Sequence, residues 1–336
     1  MTINMRNWVA NTIASPVKKP LPILSFPSAQ LLDVSVRELV CSSDLQVRGM
    51  KAVADRVDSA AAVSMMDLSV EAEAFGANIV FSDDEVPTVV GAIISDEDEA
   101  NDLAIPQVGA ARTGLYVDTV AKAVQLITDR PVFAGVIGPF SLAGRLMGVT
   151  DAMFFCYDEP DMVHTLLEKV SQFTISYINA FKAVGANGVM MAEPLGGLLS
   201  PAMAEEFSHT YVRKIVEAVQ TDEFAFVYHN CGDNVPLMKE GIYNLGAMGY
   251  HFGGAIKMAD MFAGAPADAL VMGNVSPSAQ FRSGTPESIR EVTQKIMAEC
   301  CVNPNFVISS GCDIPPQCPW NNIDSFFAAA ADFYNN

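Results

Sequence analysis

A histidine and a cysteine two residues apart, His229-Asn230-Cys231, and a second cysteine far along the chain, Cys312, are the residues best suited to chemistry. Residues two apart on an extended chain point to the same side, so His229 and Cys231 can reach one ion. One imidazole and two thiolates suit zinc in softness and geometry. Three protein ligands leave one coordination position open, as catalytic zinc sites do. Structural sites are usually closed by four ligands, often with Cys-x-x-Cys pairs, and the sequence has no such pair. On spacing alone the three could equally be unrelated strand-end residues, because a lone His-x-Cys is a weak signal.

For the three to meet, a fold must bring distant strand ends to one place. Short apolar runs at 21–26, 59–66, 131–138, 188–193, 225–229, 247–251, 270–275 and 306–310 read as buried parallel strands. Helical patterns lie between them. One opens at Asp158-Glu159-Pro160-Asp161 and ends at Gly185. Ser200-Pro201 and Thr285-Pro286 each pair an N-cap residue with proline at the first helical position. Strand and helix alternating in this way predict an α/β chain folded as a (β/α)8 TIM barrel, one domain over 1–336. An N-terminal extension precedes the barrel, and an insertion at 77–109 follows the second strand, with a short extra strand at 78–81. Active sites of such barrels lie at the C-terminal strand ends. The polar residues there are Asp67, Glu193, His229, Cys231, His251, Asn274, Cys312 and Asp313.

Several segments carry a resemblance. They are the stretch from Asp67 to Gly76, the stretch from Gly138 to Gly144, Leu199-Ser200-Pro201, the stretch from His229 to Asp233, Gly273-Asn274-Val275, and Gly311-Cys312-Asp313-Ile314-Pro315-Pro316. Together they resemble the uroporphyrinogen decarboxylase superfamily, in its methylcobamide:coenzyme M methyltransferase-like branch. That resemblance implies zinc held by His229, Cys231 and Cys312, and a substrate thiol such as coenzyme M in the open position. Zinc lowers the thiol pKa, and the thiolate takes a methyl group from a methyl-corrinoid presented by a separate corrinoid protein. Related zinc barrels can place an acidic residue at the end of the sixth strand, where this chain has Gly253. His251 and Glu193 are the candidates to fill in, His251 as a fourth ligand and Glu193 as a catalytic carboxylate. The alternative within the superfamily is metal-free decarboxylation of uroporphyrinogen. Its eight carboxylates call for arginines, yet 25–33 carries no basic residue, and near the mouth only Arg145, Lys257 and Arg282 are at hand.

The formal charge of −19 makes nucleic acid and anionic membrane poor partners. No basic-then-apolar leader opens the chain, and no apolar run approaches the ~20 residues of a membrane helix, so a cytoplasmic protein is expected. Seven irregularly spaced cysteines argue against a disulfide framework. Cys300-Cys301 reads as structural, and Cys318 is left out of the ligand set. Asp67 and Glu71, in the loop and helix after the second strand, either line the mouth or touch a corrinoid partner, or are capping and solvated residues, the reading preferred here. Asp233 either orients a ligand or caps the following helix.

Overall fold

The computed structural model describes residues 3–335; Met1, Thr2 and Asn336 lie outside them. Nine strands follow in chain order: β1 (Ala62–Val63), β2 (Asn78–Val80), β3 (Thr88–Val90), β4 (Val132–Ile137), β5 (Gly188–Ala192), β6 (Ala225–Asn230), β7 (Gly249–Phe252), β8 (Leu270–Val275) and β9 (Phe306–Ser310). Seven form one parallel sheet in the order β1-β4-β5-β6-β7-β8-β9, with helices in the connections. β2 and β3 form a separate antiparallel pair inside the predicted insertion. No helix among the described residues is long and apolar enough to cross a membrane.

Every residue of β4 to β9 is buried, as expected for parallel strands covered on both faces. The two faces separate by parity. Phe133, Met190, Val227, Met272 and Val307 join Met5 and Val9 of the N-terminal helix Met5–Ala14 in one cluster inside the curled sheet. Val132, Val189, Phe226, Val271 and Phe306 pack outward against the helices. Continuing the inner parity, His229 follows Val227 and Ser309 follows Val307. Glu193 continues the outer parity of Val189 and Met191. The sequence predicts the site residues' positions at strand ends, but this split between faces sets where each one points.

The predicted strand at 21–26 is not one. Pro20, Pro22 and Pro27 remove ladder donors, which leaves only isolated bonds. Leu21 N–H donates to the Ile308 carbonyl at 3.0 Å, and Ile23 N–H to the Ser310 hydroxyl at 3.0 Å. On the other side, the Pro20 carbonyl accepts from Ala60 N–H at 2.8 Å, just before β1. This segment therefore runs between the two edge strands of the sheet. β1 is also shorter than the predicted 59–66.

The predicted helix signals are all used. The long helix runs Pro160–Ala183, and Gly185 beyond it takes a positive φ of 97°. Ser200 and Thr285 accept from Met203 N–H and Ser288 N–H as N-caps.

Candidate metal centre

His229 and His251 are paired neighbours in β6 and β7, so both rings enter the interior side by side. Cys231 lies one residue past β6, and Cys312 two residues past β9. The ligand atoms of His229, Cys231 and Cys312 come within 4.8 Å of one another. Among the described residues no other such group of three His, Cys, Asp or Glu side chains forms, and neither His251 nor Glu193 belongs to this one.

Glycine backbones let the strand ends close so tightly. A Cβ on Gly253 would stand 2.5 Å from the Cys231 Cα and 2.8 Å from the Cys231 Cβ. The position aligned with an acidic ligand in related barrels is therefore filled by the backbone of Cys231. The Asn230 side chain turns outward, donating to the Tyr228 hydroxyl at 3.0 Å and accepting from Gly232 N–H at 2.9 Å, which fixes the turn after Cys231.

A chain of hydrogen bonds sets the His229 tautomer. The Ser309 hydroxyl donates to the Leu21 carbonyl at 2.7 Å. Its proton is thus committed, and it accepts from His251 Nε2–H at 2.7 Å. His251 is wholly buried. Burial, and then the neighbouring His229 ring, push its pKa well below the usual histidine range, so the ring is neutral. Its Nδ1 carries a lone pair and accepts from His229 Nδ1–H at 2.7 Å. His229 Nδ1 also lies 3.2 Å from the His251 carbonyl. His229 Nε2 is left bare, buried and without a hydrogen-bond partner. Such an orphaned acceptor is costly unless something binds it, and metal-ligating histidines are held by a bond at their other nitrogen in this way.

The sulfurs point the same way. The neighbouring Cys312 thiol, and then His229, lower the Cys231 pKa below the ordinary thiol range, against burial. The nearness of Cys231, followed by burial, pushes the Cys312 thiol up. Imidazole nitrogen and two sulfurs are a donor set that fits zinc.

His251, the candidate fourth ligand, has both ring nitrogens taken in this chain and no lone pair left for an ion. Glu193, the candidate catalytic carboxylate, faces the helix layer. It accepts from Phe140 N–H at 2.9 Å, Ser141 N–H at 3.0 Å and the Ser208 hydroxyl at 2.9 Å. It serves as an anion at the N-terminus of the helix Pro139–Met147. Burial raises its pKa, partly offset by those donors.

Asp67 does not cap the helix Val70–Ala74, whose N-cap is Ser69, but accepts from Ser69 N–H at 3.1 Å in the turn before it. It is also buried, accepts from the Tyr116 hydroxyl at 2.8 Å, and pairs with Arg112, which reaches on to Glu73 at 2.6 Å. Glu71 is buried as well and accepts from Ile137 N–H at 3.0 Å. Arg112, Tyr116 and Ser309 escape sequence reasoning, since none carries a local motif. Cys300 and Cys318 are buried, and Cys301 lies 3.8 Å from the Tyr334 hydroxyl, away from the cluster.

Comparison with known proteins adds ancestry to this geometry. The family described as Uroporphyrinogen decarboxylase (URO-D) matches residues 23–333. A methylcobamide:CoM methyltransferase, MtbA, of Methanosarcina mazei is 26% identical over 278 residues, which cover 80% of this chain and 78% of that protein. A uroporphyrinogen decarboxylase of Psychromonas ingrahamii is 27% identical over 283 residues, 78% of this chain and 77% of the other. Among solved structures, a methyltransferase from Methanosarcina mazei superposes with a TM-score of 0.85 at 21% identity, over 99% of both chains.

Proposed function

Because the chain belongs to the uroporphyrinogen decarboxylase family, whose members similar to it are named both as decarboxylases and as methyltransferases, we propose that it is the second kind. It moves a methyl group between a protein-borne methyl-corrinoid and a thiol of the coenzyme M type. The single observation that carries this reading is the bare, buried Nε2 of His229 beside two cysteine sulfurs. Decarboxylation without metal gives no reason for that trio. We also read the seven-stranded sheet, with 20–24 between its edges, as an eight-stranded (β/α)8 barrel forming one domain. The cytosol is its expected compartment.

His229 Nε2, Cys231 Sγ and Cys312 Sγ would hold the ion. Zinc bound there would lower the pKa of a substrate thiol in the open position, so that a thiolate exists at neutral pH. The chain's own residues do the rest. Ser309 and His251 keep the proton of His229 on Nδ1. The buried interior beneath Met190, Val227 and Met272 excludes water behind the site. The Gly253 backbone against Cys231 fixes the direction of that sulfur. The strand ends are left as the face on which a corrinoid protein docks.

The test is elemental analysis of purified protein together with methylation of a thiol by methylcobalamin. About one zinc per chain is expected, lost with activity in His229→Ala and Cys312→Ala while the circular dichroism spectrum is retained. Full activity in both variants overturns the proposal.

A further inference from the structure

The thiol expected at this centre carries an anionic tail, and the site described so far holds only its sulfur. A cation for the tail must lie near the mouth and must not already be spent. Arg282 is spent on Glu85 at 3.1 Å. Lys257 is exposed, and its charge is felt at Cys300, the last residue of the helix Pro286–Cys300. Arg112 is divided among Asp67, Glu73 and Ser69.

Arg145 remains. It lies in the helix Pro139–Met147, which starts at the C-terminal end of β4, and it is the only residue of that helix that is not buried. Its guanidinium makes no hydrogen bond or ion pair with any described residue. The nearby carboxyls, Asp67 and Glu71, have other partners. Burial lowers the pKa of Arg145, opposed by Asp67 and then Glu71. A half-buried guanidinium with no acceptor from the protein keeps its N–H donors free for a ligand that supplies one. Tyr177, whose ring is buried and whose hydroxyl also lacks a partner, stands near the same two carboxyls. The charge of Asp67 is felt both at Arg145 and at Asp313, the neighbour of Cys312. Asp67 thus stands near both Arg145 and the residue that follows Cys312.

We propose that Arg145 binds the terminal oxyanion, a sulfonate or carboxylate, of a short substrate thiol whose sulfur faces His229, Cys231 and Cys312. This rests on the thiol-methylation reading. It makes Arg145 a specificity residue that selects anionic thiols over neutral ones and takes no part in the bond change.

The experiment compares mercaptoethanesulfonate, mercaptopropionate and the neutral mercaptoethanol as acceptors from methylcobalamin, with wild type, Arg145→Leu and Arg145→Lys. Calorimetric titration with ethanesulfonate, which has the tail and no thiol, accompanies it. In Arg145→Leu the anionic acceptors show a KM raised on the order of 10²-fold, the loss expected when one partner of a desolvated charge pair is removed. For mercaptoethanol KM stays within about twofold, kcat is unchanged throughout, and Arg145→Lys recovers part of the loss. The better anionic acceptor of wild type identifies the tail as sulfonate or carboxylate. An equal loss for all three thiols, or no loss, overturns the proposal. If wild type methylates no thiol, the methyl-transfer reading fails, and ethanesulfonate decides Arg145 by itself: weaker binding in the variant supports the anion site, and unchanged binding overturns it. Should Arg145→Leu not fold, Arg145→Lys and Arg145→Gln provide the same comparison.

Discussion

Replacing His251 by phenylalanine keeps a ring against His229, whose centroid lies 4.6 Å away at 74°, and removes both ring nitrogens, the Nδ1 that accepts from His229 Nδ1–H and the Nε2–H that donates to Ser309. The bond lost to His229 is 2.7 Å long and wholly buried, and the 3.2 Å contact to the backbone carbonyl of position 251 is all that remains to its Nδ1–H. Leaving a buried donor poorly satisfied costs about 1–3 kcal/mol. At about 1.4 kcal/mol per tenfold, the expected loss of zinc affinity is roughly 5- to 150-fold. This agrees with the ~10- to 100-fold typical when the group orienting a metal-bound histidine is removed. The assay is competition for zinc against a chromophoric chelator, with His229→Ala measured alongside. His251→Phe is expected to weaken binding by that factor, and His229→Ala to abolish it. Affinity equal to wild type refutes the orienting chain. Abolition in both variants makes His251 a ligand and refutes the tautomer argument.

Two further outcomes are expected. Gly253→Asp, which would install the acid found in related barrels, forces a Cβ into the Cys231 backbone; it should cost about 1–3 kcal/mol in a thermal melt and lower zinc content, and tighter zinc binding would show that the strand ends can open. Burial raises the Glu71 pKa to about 8 from 4.5, so the folded state holds a proton that the unfolded state has released, and stability falls as pH rises from about 4.5 through about 8. Glu71→Gln removes that slope: urea melts should show wild type and variant nearly equal below pH 4.5, and the variant ahead by up to a few kcal/mol at pH 8.

The placement of His229, Cys231 and Cys312 at one mouth was legible because alternating strands and helices force strand ends to converge, and residues two apart share a side. What the pattern could not show was which face each residue takes. Strands buried on both faces have no polar alternation, so nothing local distinguished His229, pointing in, from Glu193, pointing out to the helix Pro139–Met147. The role of His251 depended on its register with His229 and on Ser309, a residue from a strand far along the chain. The 21–26 run looked like a strand by hydropathy, but its prolines limit it to single bonds. The extra strand at 78–81 was found as Asn78–Val80, while its partner Thr88–Val90, lacking a tight turn signal, was not.

The bond chain from His229 through His251 and Ser309 ends on the carbonyl of Leu21, in the stretch that bridges the sheet's two edges. Ion affinity and seam closure are therefore linked quantities, and linkage is reciprocal. Whatever tightens the grip of His229 also holds residues 20–24 against β9, and whatever frees that stretch weakens the hold on the ion by the same free energy. The centre acts as a clasp between the early and late parts of the chain as well as a place for chemistry. Amide exchange at Leu21 and Ile23 is where loading would register first, some distance along the backbone from any ligand.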